Sequence, residues 1–418
     1  MPANRLVISG QLMLPAPCSR VRIAPGTVTI ENGVIRDVHE GEPHPSPDLG
    51  GSNALILPGF VDAHMHLPQF DSIGIDGLTL LDWLDRAIFP AECDWADADH
   101  AGQMSTRAAR SLLSFGTTSI CAYATVHHDA TRAAIAAIAA SGMRAMVGQV
   151  LMDRNAPPEL CRPAPQLIRE AGELTKFARS VAASSGARIE HSINPRFAIS
   201  CTPELLASAG KLARTRNAPV QTHISENTSE CAMISQLFGG HSYARVYQMA
   251  GLLGPRTILA HGVWLGRAEL RTLGDASSIV AHCPTANTFL QSGDCNVGWL
   301  RSAGIPIVVG SDIAGGSERS MVRVARSMIE TSKRIHASDP GSPLISPAEA
   351  WWSISGGNAD ALGWPSTSRL AVGAEADILV VQPDIPWKTA ADPLGTLLYA
   401  WDDRWITNTL LMGAPAFG

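Results

Sequence analysis

Between residue 55 and about residue 340 the chain alternates short, largely apolar runs with longer stretches rich in alanine and leucine. The apolar runs fall at 55–61, 117–124, 143–151, 187–193, 219–224, 257–261, 278–282 and 306–311. Runs of that length without polar alternation read as strands buried on both faces. The intervening stretches, such as TRAAIAAIAASG and TPELLASAGKLARTRN, have the length and residue types of helices. Thr202-Pro203 opens the second of these as an N-cap followed by proline at the first helical position. Eight such repeats predict a closed (β/α)8 TIM barrel; an open doubly wound sheet also alternates, and the count favours the barrel. A further helix is expected over 346–363.

The two ends differ in texture. Residues 1–54 hold LVISG, RVRIA and GTVTIENGVIRDV, short β-branched segments punctuated by Gly, Pro and Asn, and residues 39–54 read as a loop. RLAVGAEADILVV and ITNTLLMG bring strand character back after residue 366. Neither end is large enough to bury a core alone, so both are predicted to pair in one small β-sandwich domain beside the barrel. The expected division is 1–54 and 366–418 for that domain and 55–365 for the barrel.

Composition removes several classes of function. At 45% hydrophobic and 17% charged residues, wholesale disorder is excluded. A net charge of −6 spread along the chain provides no basic face for nucleic acid or a membrane surface. No apolar run approaches the ~18 residues of a spanning helix, and no signal peptide is visible, so a cytoplasmic location is expected. The 8 cysteines form no CxxC, which disfavours a disulfide scaffold and a cysteine-ligated zinc site.

The chemistry gathers at strand ends. His64 and His66 share one side of an extended chain, because residues i and i+2 point the same way. His223 ends PVQTH, His261 ends TILAH, and Asp312 ends PIVVGSD. In a barrel all strand carboxyl ends lie on one rim, so these five residues are predicted to meet around a divalent metal. Nitrogen and oxygen donors suit zinc, with iron or another first-row ion as alternatives. The strand at 187–193 offers no lysine to bridge a second ion, so one metal per subunit is expected. Glu226, three residues beyond His223, is the expected proton carrier; a plainer role is favourable charge at a helix N-terminus. Asp312 is expected to accept a proton as well as bind metal. His282 ends SIVAH and is expected either to hydrogen-bond the attacking water or oxyanion, or to support Asp312 from behind.

HMH after LPGFVDA, THISEN, ILAHG, AHCPTAN and VVGSD together resemble the amidohydrolase superfamily in its mononuclear aminohydrolase branch. PQFDSIG, LLDWLDRAIFPAE, GTTSICAYATVH, QVLMDRNAP and NPRFAISCT further resemble the guanine deaminase family, over nearly the whole chain. The resemblance implies one zinc ion on His64, His66, His223, His261 and Asp312, with Glu226 shuttling protons. It also implies hydrolysis of guanine, a small purine base, to xanthine and ammonia, by a homodimer. Gln69 and Arg196 would read the purine edge, while Trp83, Leu84 and Phe197 enclose the ring. Plainer roles are a loop position for Gln69 and a surface ion pair for Arg196.

Asn194, Ala286 and Ser311 depart from the threonine, serine and threonine frequent in the family. They keep a related amino-heterocycle (a modified guanine, a pterin or an aminotriazine) as the alternative substrate. The other zinc deaminase fold uses PCxxC, which this chain lacks, and nucleic-acid substrates drop out with it. A cyclic-amide hydrolase would want the bridging lysine. A non-catalytic barrel would be expected to have lost part of the constellation.

Overall fold

The computed structural model describes residues 5–418; residues 1–4 of the expected N-terminal segment lie outside it. Four strands open the chain: β1 (Arg5–Ala16), β2 (Arg20–Glu31), β3 (Val34–Glu40) and β4 (Leu49–Pro58). Eight follow with helices between them: β5 (Phe60–His66), β6 (Thr117–Tyr123), β7 (Arg144–Leu151), β8 (Ile189–Pro195), β9 (Val220–Ile224), β10 (Thr257–His261), β11 (Ile279–His282) and β12 (Ile307–Val309). Three more close it: β13 (Ile378–Val381), β14 (Ile406–Leu411) and β15 (Ala414–Phe417).

Strands β5 to β12 pair in chain order, all parallel. Past β12 the chain returns to β5: Asp312 N donates to His64 O at 2.9 Å and His66 N to Ile313 O at 2.9 Å, which closes the barrel. Inside it pack Val61, Ala63, Cys121, Met146, Ile258, Ala281 and Val308. The opposite faces, with Val147, Ile193, Leu259 and Val280, bury against the surrounding helices. The strands are thus buried on both sides, which is why most of the runs lack a regular apolar–polar alternation.

The remaining strands form one mixed sheet in the order β15-β14-β13-β4-β1-β2-β3. The sandwich expected of the two termini is thus built from a single continuous sheet. It encloses Ile8, Leu12, Val28, Ile30, Ile56, Ile378 and Leu410 in a core of its own. On the other face Leu55, Leu57, Leu379 and Val381 pack into a cluster with Trp351 and Trp401, joining sheet to barrel.

One boundary is corrected. The run expected as a single strand at 55–61 is the end of β4 followed by the start of β5, and these belong to different sheets. Gly59 separates them, where a Cβ would come within 2.2 Å of Thr118 Oγ1. Both strands are buried, so the apolar run continues across the break. The division after residue 54 consequently falls inside β4, and residues 49–54, read as loop, are strand. The helix expected at 346–363 is two, Pro347–Ser353 and Gly356–Ala361. No helix among the described residues is long and apolar enough to cross a membrane.

Candidate active site

At the carboxyl rim of the barrel, one ligand atom each from His64, His66, His223 and Asp312 lies within 4.8 Å of the others. Asp312 Oδ1 is 3.4 Å from His64 Nε2 and 3.3 Å from His66 Nε2. His66 Nε2 is 3.2 Å from His223 Nε2. Both ring nitrogens of His64, and Nδ1 of His66, are buried without a hydrogen-bond partner. Buried polar atoms are seldom left unpaired, and three imidazoles with one carboxylate are a donor set that a divalent first-row cation satisfies. Burial pushes His66 down to about 4 and holds His223 well below the usual imidazole value. Neutral imidazole is the form that binds metal. Burial acts to raise the Asp312 carboxyl, but the facing His64 and His66 outweigh it and hold it well below the ordinary range.

Surrounding groups aim these donors. His223 Nδ1 donates to Arg196 O at 2.5 Å, which leaves Nε2 for the shared centre. The Tyr123 ring stacks on His66 with centroids 4.6 Å apart. Asp62, buried below the rim, accepts from His64 N at 3.2 Å and from Ser311 N at 2.9 Å, tying the two ends of the barrel together.

Four of the five expected ligands meet in this group, and His261 stands at its edge. Its backbone takes a φ of 77°, which turns the side chain from the regular strand direction. Its Nδ1 donates to Asn287 Oδ1 at 2.9 Å. Its Nε2 lies 3.4 Å from Glu226 Oε2 and 3.8 Å from Asp312 Oδ2.

The expected role of His282 is corrected. Ala281 points into the barrel, so its neighbour His282 points outward, as alternation along a strand requires. It lines a separate cavity of ≈ 240 Å³ with Met328, Thr331 and Ser332 of the helix Met321–Ser338. It makes no hydrogen bond to Asp312.

Above the histidines opens a cavity with ≈ 370 Å³ of empty space, its open mouth included. Gln69, Trp83, Leu84, Arg196 and Phe197 all line it, as expected, together with Glu226, His261 and Asp312. Leu80 and Leu290 join them. Leu80 was legible in principle, since positions 80, 83 and 84 share one helical face.

Arg196 is no surface group: it is 3% exposed and its Nη1 donates to both carboxylate oxygens of buried Glu92, at 2.5 and 2.6 Å. Gln69 Nε2 donates to the same carboxylate at 3.1 Å. Glu226 precedes Asn227, the N-cap of the helix Thr228–Leu237, so it does sit at a helix start. Its side chain nevertheless turns into the pocket, where Oε1 accepts from Ser292 Oγ at 2.8 Å. Burial, and then the Asp312 carboxylate, push Glu226 up to about 8. Such a group holds a transferable proton near neutrality.

None of the three departures from the family pattern lines this cavity. Asn194 fills the space over Gly148, where a Cβ would meet its amide at 2.3 Å. Ala286 packs in the barrel-interior cluster, and Ser311 Oγ donates to Asp62 at 2.5 Å. These three departures therefore place no side chain on the cavity wall to favour a related amino-heterocycle.

Residues 55–415 match the amidohydrolase family. Guanine deaminase of Dictyostelium discoideum is 30% identical over 377 residues, covering 88% of this chain and 83% of the relative. The solved guanine deaminase of C. acetobutylicum, with guanine bound in its active site, superposes with a TM-score of 0.92 at 28% identity, covering 99% of this chain and 100% of the other. A zinc-bound adenosine deaminase from Xanthomonas campestris superposes with a TM-score of 0.86 at 25% identity, covering 99% and 92%. With barrel, rim and histidine group in place and the match running across nearly its whole length, this chain belongs to the amidohydrolase family and groups there with the guanine deaminases.

Proposed function

We propose that this chain is a guanine deaminase that hydrolyses guanine to xanthine and ammonia with one zinc ion per chain. The observation that carries this is a single cavity bounded by His66, His223 and Asp312 of the donor group on one side and the Gln69–Arg196 pair on another. Bound guanine in the active site of the C. acetobutylicum relative, and zinc in the X. campestris relative, support it. The metal is assigned to His64, His66, His223 and Asp312, with His261 beside them. When bound there, such an ion lowers the pKa of a water from about 15.7 to roughly 7 and so supplies the nucleophile.

The chain's own residues do the rest. Glu226 delivers a proton to ring nitrogen N3, which makes C2 electrophilic towards water. It then takes a proton from the water that has added to C2 and passes it to the amine, which leaves as ammonia while the remaining oxygen becomes the C2 carbonyl of xanthine. Ser292 and His261 hold its carboxyl from two sides. Arg196 donates to O6 of the base, and Gln69 pairs with the neighbouring edge. Trp83, Leu84 and Phe197 keep the ring dry, which strengthens each of these polar contacts. The substrate is thus a free purine base rather than a nucleic acid. A cytoplasmic homodimer belongs to the same proposal on family resemblance, and sedimentation of the purified chain tests the dimer.

A panel of guanine, pterin and aminotriazine substrates, read by ammonia release, tests the assignment; guanine is expected to be turned over best, and a better pterin or triazine rejects it. Arg196→Met should lower kcat/KM for guanine about ten- to a hundredfold, through loss of a donor to O6. It should lower that for 2-aminopurine, which has hydrogen at C6, much less; an unchanged ratio means Arg196 does not read O6. Ser292→Ala removes the hydrogen bond to Glu226, and ~0.5–1.5 kcal/mol for a bond to a neutral carboxyl corresponds to a fall in kcat of roughly two- to tenfold. Metal content should stay at the wild-type level by elemental analysis.

A further inference from the structure

Glu92 neither belongs to the histidine group nor lines the cavity itself, yet both side chains assigned to read the base end on it. We propose that Glu92 is a specificity-determining positioning residue: its carboxylate sets which hydrogen-bonding atoms Gln69 and Arg196 present to the substrate. The inference rests on the guanine deaminase reading above.

Glu92 belongs to the short helix Phe89–Cys93, which lies over the rim, and it is 2% exposed. An ionised carboxylate accepts hydrogen bonds and cannot donate them. Gln69 must therefore turn Nε2, not Oε1, towards Glu92, and this fixes the orientation of the amide. Its Oε1 is held from the other side by Ala314 N at 3.4 Å. One N–H and one lone pair of Gln69 remain, in an arrangement that cannot flip without facing carbonyl oxygen to carboxylate oxygen.

Arg196 is constrained in the same way. Nη1 is taken by both oxygens of Glu92, while Nη2 and Nε have no acceptor among the described residues. The Phe89 ring lies 5.6 Å from the guanidinium carbon and covers that group. The donors left over serve the cavity, and an oxygen acceptor such as O6 of guanine is what they match. Glu92 also balances the Arg196 charge, so this wall suits a neutral base. Without a buried acceptor there, Gln69 is free to rotate its amide and Arg196 to shift, and the donor pattern that separates guanine from its 6-unsubstituted analogue blurs.

Glu92→Gln keeps the size of the side chain but places an NH2 group where two donors converge. In that variant kcat/KM for guanine is expected to fall about ten- to a hundredfold, mainly through KM, because a charge-assisted pairing is lost from the binding wall. The value for 2-aminopurine should fall much less, and metal content should not change. Glu92→Asp retains the acceptor one methylene further back and should restore part of the guanine preference. Equal losses for both bases in Glu92→Gln, with no recovery in Glu92→Asp, would overturn the proposal and leave Glu92 a purely structural brace. Failure of both variants to fold, judged by circular dichroism, assigns it to stability and overturns the proposal too. Wild-type protein assayed alongside separates the two levels: no turnover of guanine by wild type defeats the deaminase reading itself, whereas robust turnover with an unmoved base ratio in the variants defeats only the role of Glu92.

Discussion

Replacing Glu226 by Gln is expected to lower kcat by about two to four orders of magnitude, the range supplied by a positioned general acid–base, while the metal stays bound. The substitution keeps the side-chain volume, and Ser292 Oγ can still donate to the amide oxygen as it does to Glu226 Oε1. What disappears is a titratable group that burial and Asp312 push up to about 8. An amide can neither give ring N3 its proton nor protonate the leaving amine. Single-turnover kinetics on metal-analysed variant separates this from a binding defect. Loss of metal together with activity would make Glu226 a support of the metal group instead, and near-normal kcat would end the shuttle assignment.

The larger effect is expected from the donors themselves. Asp312→Ala or His223→Ala should leave protein that folds but neither retains a tightly held metal nor turns over guanine above background. Each removes one of four donor atoms that now lie within 4.8 Å of one another. Replacing even a residue that only orients a ligand typically costs about 10–100-fold in metal affinity, and removing the ligand itself should cost more. The fold should survive because the main hydrophobic clusters are built elsewhere, in the helical layer and between sheet and barrel. Elemental analysis and a thermal melt check both halves. Two metals per wild-type chain, or full activity with none, would contradict the assignment.

The barrel was legible because strands buried on both faces are largely apolar, and eight such runs alternate with helical stretches. Convergence of His64, His66, His223 and Asp312 followed from topology, since parallel strands bring their carboxyl ends to one rim. Gly59 was missed for the same reason that the strands were found: β4 and β5 are both buried, so hydrophobicity does not mark where one sheet stops and the other begins. His282 was misplaced because strand parity depends on register, and small Ala281 beside it gives no sign of which residue faces inward. His261 occupies the expected rim, but its positive φ redirects the ring towards Glu226, which residue spacing does not reveal. Glu92 and Ser292 reach Arg196 and Glu226 from segments 104 and 66 residues away, and a contact of that kind leaves no periodicity to read.

Hydrolytic deamination at a one-metal site is tested by turnover of guanine by metal-analysed protein in water enriched with heavy oxygen. One zinc per chain, one ammonia released for each guanine consumed, and xanthine carrying a single heavy oxygen at C2 are expected. No ammonia from guanine, or xanthine formed without the solvent label, would contradict it.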